Sequence, residues 1–134
     1  MAEPMFDGVI LTTDAGRTIL GCRRSRAYVE TMPGVNGAYV QACGYGPRPL
    51  AAEGLLAAQG STAASARGAV MELFRQRERL ADGSTLATFA GTDGHLYANC
   101  LLQRYAHGPL RIARGGGTFT AYLPVRADLL QVTP

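Results

Sequence analysis

Few side chains in this chain could take part in acid–base, nucleophilic or metal chemistry. It has 2 histidines and 3 cysteines. His95 follows a predicted turn, and His107 lies in a loop beside Gly-Pro. Cys22, Cys43 and Cys100 are far apart and form no C-x-x-C pair, which argues against a zinc ribbon or a thioredoxin-like motif. The sequence therefore predicts no metal site and no cofactor.

Nucleophilic catalysis needs a base beside the nucleophile and a third group that orients the base. Cys22 or Cys43 could pair with a histidine, but the sequence has neither a nucleophile elbow nor an orienting partner. Cys100 falls among apolar alternating residues, where a cysteine acts as a small core side chain. We therefore expect no catalytic residue, and a small hydrolase that uses Cys43 or a histidine is the weakest alternative.

Two glycine-containing segments could cradle a phosphate, but both lack the rest of the motif. Gly44 and Gly46 are followed by Pro47-Arg48-Pro49 instead of a third glycine and a helix, so the dinucleotide fingerprint fails. Arg114-Gly115-Gly116 is a single RGG-like triplet, which is typical of a glycine hairpin loop. Both segments indicate turns.

Tyrosines beside arginines could bind single-stranded nucleic acid by stacking and charge. Tyr28 lies near Arg24 and Arg26, and Tyr105 follows Arg104. The net charge is only +3, although all 13 basic residues are arginine. Because tyrosine and arginine are also enriched in protein interfaces, we favour subunit contacts and keep a small β-barrel that binds oligonucleotides as the alternative.

The elements that position these residues are mostly strands. Apolar residues occupy every second position in two long runs, which predicts a sheet covered on one face. The first run is Leu96, Ala98, Cys100 and Leu102, and the second is Phe119, Ala121, Leu123, Val125, Ala127 and Leu129. Pro124 cannot donate a ladder hydrogen bond, so we expect an edge strand or a bulge there.

One amphipathic helix is predicted at about 62–81. Ser61 or Thr62 would be its N-cap, and Gly83 would end it. Apolar residues at helical spacing would pack on the sheet or barrel, and charged residues would face water.

Turn residues divide the remainder into strands. A first hairpin is expected to turn at Asp14-Ala15-Gly16, and a second at Gly91-Thr92-Asp93-Gly94. The further expected segments are an irregular arginine-rich ribbon at 21–30, a turn at 32–37, a strand at 38–43, a loop at 44–49, and strands at 50–56, 110–113 and 118–132.

Length and composition favour one folded domain. The chain has 134 residues and is 47% hydrophobic, which argues against general disorder. It has no run near the roughly 18 apolar residues of a membrane helix and no secretion signal at its start. We therefore expect a soluble protein, made and held in a cytoplasm or in a particle assembled there.

The order of these elements resembles small bacteriophage tail proteins. The resemblance is carried by Phe6-Asp7-Gly8-Val9, a basic ribbon over 21–28, the helix, Asp93-Gly94-x-x-Tyr97-x-Asn99-Cys100 and a long closing strand. It is nearest to the N-terminal β-barrel of distal tail and DNA-circularisation (tail) proteins, and we expect this chain to differ from many relatives in lacking their large second domain.

That resemblance implies a mainly β (α+β) fold, an antiparallel β-sandwich or barrel with one flanking helix, in a single domain over 1–134. It implies a virion structural subunit that forms a hexameric ring at a tail tip, baseplate or tube adaptor after assembly in the bacterial cytoplasm. The implied partners are copies of itself, other tail or baseplate proteins and DNA passing through a lumen, with no membrane. The candidate interface residues are Arg23, Arg24, Arg26, Tyr28, Tyr45 and Arg48.

Overall fold

The structure is a computed structural model that describes residues 3–22, 25–31, 33–34 and 36–132. For 25–29 and 38–45 it describes the backbone only. The fold is mainly β, with antiparallel strands and one helix in these residues, as the sequence predicts. Within the same residues, no helix combines the length and the hydropathy that crossing a bilayer requires.

Ten strands and one helix follow one another in the described part of the chain. They are β1 (Met5–Phe6), β2 (Val9–Ile10), β3 (Asp14–Leu20), β4 (Ser25–Thr31), β5 (Ala38–Tyr45), β6 (Arg48–Gly60), α1 (Ala63–Glu78), β7 (Leu86–Ala90), β8 (Leu96–His107), β9 (Arg111–Gly115) and β10 (Thr118–Gln131).

Eight strands form one antiparallel sheet that curls into a barrel. Its order is β2-β1-β7-β8-β10-β6-β3, and β9 also pairs with β10. Residues 11–13 join β2 at one end of this order to β3 at the other, and so short a segment spans at most about 14 Å. Leu11 N–H donates to Pro4 O and Thr13 N–H donates to Leu55 O, both at 2.8 Å. The two ends of the sheet therefore approach each other at this connection, although no described strand pairs with the outer edge of β3.

The core lies between the inner face of the sheet and the helix. Along β10, every second residue from Ala121 to Leu129 is buried, and Phe119 is partly buried, which confirms the predicted alternation. Thr62 caps α1 by accepting a hydrogen bond from Ser65 N–H, as predicted. The helix residues packed into the core are Ala66, Val70 and Phe74.

The first hairpin turns earlier than predicted. Asp7 and Gly8 have φ values of 52° and 76° and connect β1 to β2. The predicted turn at 14–16 instead begins β3 as a bulge, in which Ala15 has a φ of 54°. Both segments carry turn residues, and the pairing of Phe6 with Phe89 selects the earlier turn.

The predicted face of β8 is half wrong. Cys100 and Leu102 are buried, but Leu96 is 68% exposed and Ala98 is also exposed. The register with β7 shifts here, and Asn99 has a φ of 56°, so a bulge reverses which side chains point inward. Tyr97, which the predicted alternation places on the face opposite Leu96 and Ala98, is in the core.

Pro124 lies at neither an edge nor a bulge. On one side it pairs with Leu55 of β6. On its other side β10 changes partner, from β9 (up to Tyr122) to β8 (from Val125). A residue without an N–H is tolerated at this gap, where Gly108 N–H donates to Pro124 O.

The loop predicted at 44–49 is almost entirely strand. β5 continues to Tyr45 and β6 begins at Arg48, so only Gly46 and Pro47 lie between them. The hairpin at 91–94 is confirmed, and Gly94 has a positive φ of 81°. The helix is confirmed, but it ends at Glu78 with Arg79 as its C-cap, so Gly83 does not end it.

Candidate subunit interface

The strands β4 and β5 pair with each other in a separate two-stranded sheet, which we call the arm (residues 25–45). No described strand of the barrel joins this sheet. The arm leaves the barrel where Gly21 N–H donates to Pro49 O at 2.8 Å. A Cβ on Gly21 would lie 2.5 Å from that oxygen, so the approach of the two strands requires glycine.

The predicted interface residues are distributed along the arm and its base. Arg23 and Arg24 lie outside the described residues. Arg26 and Tyr28 belong to β4, and Tyr45 is the last residue of β5. Arg48, expected in a loop, is the first residue of β6. The ribbon expected at 21–30 corresponds to β4, whose register with β5 shifts between Ser25 and Ala27.

Arg48 is the one predicted interface residue whose side chain is described. Its Nε atom is buried and has no hydrogen-bond partner among the described residues. Burial and the negative charge of Asp93 raise the pKa of Tyr97, and the positive charge of Arg48 opposes them. Buried donors are normally paired, and the described residues leave this donor at the base of the arm without a partner.

The barrel strand before the arm has an unpaired edge. Among the described strands, β3 pairs only with β6. Its side chains Ile19 and Leu20 are 38% and 49% exposed. A hollow of about 360 Å³ lies on the outer face of the sheet next to β3, lined in part by Ile19, Pro49 and Asp128. Unpaired strand edges with apolar side chains are favourable positions for another chain to bind.

A row of charges crosses the outer face of the sheet on β3, β6 and β10. Arg17 and Arg126 both contact the Glu53 carboxylate, and the Arg126 Nη1–Glu53 Oε2 distance is 3.5 Å. Arg126 Nε also donates to Asp128 at 3.0 Å. The hydrogen bond from Arg17 holds the pKa of Glu53 below its usual value. This row keeps its charges at neutral pH.

One of the two tyrosines proposed to stack on bases in an oligonucleotide-binding barrel is inaccessible. Tyr105 is buried, its ring stacks on Phe74 at 5.3 Å between centroids, and its hydroxyl donates to Leu11 O. A base therefore has no access to this ring. The side chain of Tyr28, the other proposed stacking residue, is outside the described part of the structure.

Among the described side chains, which do not include that of Cys43, the residues that could do chemistry do not converge. His95 lies beside the Tyr97 ring, whereas His107 contacts the Phe74 ring edge-on. Cys22 is exposed and Cys100 is buried, and the burial of Cys100 raises its thiol pKa. Within the described residues, no group of three or more His, Cys, Asp or Glu side chains could hold a metal ion.

The sequence reasoning missed the apolar edge and the charged row. Ile19 and Leu20 resemble ordinary strand residues in the sequence. Arg17, Glu53 and Arg126 are brought together only by strand register, and no local pattern encodes it. Comparison of the sequence with protein-family models and with curated proteins found no match, so the functional argument depends on this geometry.

Proposed function

We propose that this protein is a non-enzymatic structural subunit of a phage tail or tail-like injection particle. Copies assemble into a ring, with six as the expected number, at a tail tip, baseplate or tube adaptor. Its partners are neighbouring copies and other tail proteins, and it works by geometry and not by chemistry. The observation that carries this proposal is the arm, a two-stranded sheet that no described barrel strand joins and that follows β3, whose Ile19 and Leu20 are exposed, in the chain.

The free edges support a ring more than a solitary barrel. Besides β3, the strands β2 and β9 each have one partner among the described strands. Edge strands offer unpaired backbone groups that invite association with other chains. A ring of heterologous contacts satisfies such edges in every copy and closes without further growth.

The arm supplies a means of reaching the next copy. Its strands are held by each other and not by the barrel sheet, so its far end is available to a neighbour. Arg23, Arg24 and Arg26 lie at its start in the sequence. Arginine pairs bidentately with carboxylates, which fixes the register of one subunit against another.

The test is molar mass by light scattering over a concentration series, combined with negative-stain images. We expect a ring, and we expect replacement of Arg23, Arg24 and Arg26 by serine to reduce its population at least about tenfold. Three lost charge-assisted contacts at a repeated interface are enough for such a change.

The matched control replaces Arg67, Arg75 and Arg79 of the helix region by serine. These three side chains are exposed and far from the arm in sequence, and the net charge changes equally. Assembly should persist in the control. A wild-type protein that stays monomeric at every concentration, alone and with candidate tail proteins, would contradict the proposal.

A further inference from the structure

The outer face of β6 and β10 is made of directly opposed residue pairs, which we call rungs. Because Leu123, Val125 and Ala127 of β10 are buried in the core, the residues between them point outward. Five rungs lie on this outer face: Tyr122–Ala57, Pro124–Leu55, Arg126–Glu53, Asp128–Ala51 and Leu130–Pro49.

Each rung joins two side chains that are complementary in charge or compatible in size. The central rung, Arg126–Glu53, has opposite charges, and its side chains are 52% and 30% exposed. The rungs Pro124–Leu55 and Leu130–Pro49 are apolar. The remaining two place a large side chain, Tyr122 or Asp128, beside an alanine.

A two-fold axis can use this pattern. If the axis lies between two facing sheets, parallel to β6 and β10 and midway between them, it exchanges the positions of the two strands. Every outward residue of one copy then faces its own cross-strand neighbour from the other copy. Arg126 faces the second copy's Glu53, and Glu53 faces the second copy's Arg126.

We propose that a second copy of this chain packs face to face on this surface about that axis. Two opposite-charge pairs form between the copies, apolar rungs meet apolar rungs, and large side chains face alanines. The second copy's Asp128 side chain lies over Ala51, at the hollow that Arg126 and Asp128 of the first copy also line. Facing sheets pack about 10 Å apart with strands within about 30° of alignment, so the central rungs match best.

This contact is independent of the ring proposed above, because it uses a sheet face and not the arm or a strand edge. The face-to-face contact doubles the mass of the associating species, whether that species is a single subunit or a ring. Isologous contacts of this kind are the commonest in protein oligomers.

The experiment compares Arg126→Glu, Glu53→Arg and their equimolar mixture by sedimentation velocity. In each variant alone, like charges face each other across the axis, and we expect the dissociation constant of the doubling step to rise at least about tenfold. In the mixture, the two carboxylates of the Arg126→Glu chain face the two guanidinium groups of the Glu53→Arg chain. Doubling should then return to within about threefold of wild type.

The mixture separates contacts between chains from contacts within a chain, because the Arg126–Glu53 pair stays broken within both variants. Circular dichroism checks that each variant is folded. Arg67→Glu on the helix makes the same charge change as Arg126→Glu and should associate like the wild type. The proposal would be overturned if the mixture sedimented like its separate components, or if the wild type never doubled its mass. The outer face would then be exposed to solvent or covered by another protein.

Discussion

At the scale of single residues, Tyr105 fastens the connection between β2 and β3 to the core. Its hydroxyl donates to Leu11 O, and its ring stacks on Phe74 of the helix. The same side chain therefore joins the seam of the barrel, β8 and the helix. Burial raises the pKa of this phenol, so the hydroxyl stays protonated at neutral pH and remains a donor.

We expect Tyr105→Phe to lower the free energy of unfolding by about 1–3 kcal/mol, because the buried Leu11 carbonyl loses its hydroxyl partner. Urea denaturation at neutral pH measures this change. Tyr122→Phe removes a hydroxyl from a partly exposed residue of the outer face and should change stability by less than about 0.5 kcal/mol. Equal effects of the two substitutions would contradict the assigned role of Tyr105.

Asp82 gives a prediction that depends on pH. Its carboxylate accepts hydrogen bonds from the Thr85 hydroxyl and from the backbone N–H groups of Ser84 and Thr85, which lower its pKa from 3.8 to about 2. Because the folded-state pKa is the lower one, this stabilisation is complete above about pH 4 and is lost as the pH falls towards 2.

Carboxyl NMR titration should find the pKa of Asp82 near 2 in the wild type. In Thr85→Val, which removes the side-chain donor, the pKa should rise towards 3.8. The urea midpoint of this variant should fall less steeply below pH 4. An unchanged pKa of Asp82 would contradict the assigned hydrogen bond.

At the scale of elements, the sequence predicted what depends on neighbouring residues and failed where distant pairing decides. The helix has its own cap at Thr62, and β10 its own alternation, so both could be predicted. The bulge at Asn99 and the tolerated position of Pro124 arise from the strands alongside them. No local signal contains that information.

The candidate interface likewise has parts that local sequence predicts and parts that depend on distant strand pairing. The turn at 32–37 and the arginines around 23–26 locate the arm in the sequence, because turn residues and charge are local. The exposed edge at Leu20 could not be predicted, because local sequence does not show that β3 is the last strand of the sheet. The Arg126–Glu53 rung depends on the register between two strands that are far apart in the sequence.

The seam of the barrel predicts a cost for one added methyl group. A Cβ on Gly54 would lie 2.8 Å from both Cβ and Cγ2 of Thr12, which is buried in the segment that closes the sheet. Gly54→Ala should therefore lower the free energy of unfolding by about 1–3 kcal/mol. Thermal unfolding measures the loss. Gly115→Ala, with no atom within 4 Å of its Cβ, should not destabilise, and a matching loss there would contradict the steric explanation.

At the scale of the whole molecule, the barrel and the arm should be separable. The two chain segments at the base of the arm are hydrogen bonded through Gly21 and Pro49. Replacing residues 23–46 by Asn-Gly joins them with a short turn. We expect this variant to unfold cooperatively with a midpoint within about 8 °C of wild type, because no described barrel strand pairs with the arm.

Light scattering on the same variant should show that ring assembly is lost, because the arm is the proposed link to the neighbouring copy. A variant that fails to fold would contradict the separation of arm and barrel. A folded variant that still forms rings would place the ring contact elsewhere on the barrel.

The sheet order has a consequence for biosynthesis. β10 pairs with β6, β8 and β9 and borders the helix, yet it follows all of them in the chain. On the ribosome, the earlier apolar strands are synthesised before β10. They lack their central partner until β10 has emerged. The sheet therefore cannot be completed before β10 has emerged, and until then the apolar faces of the earlier strands are exposed and prone to aggregation.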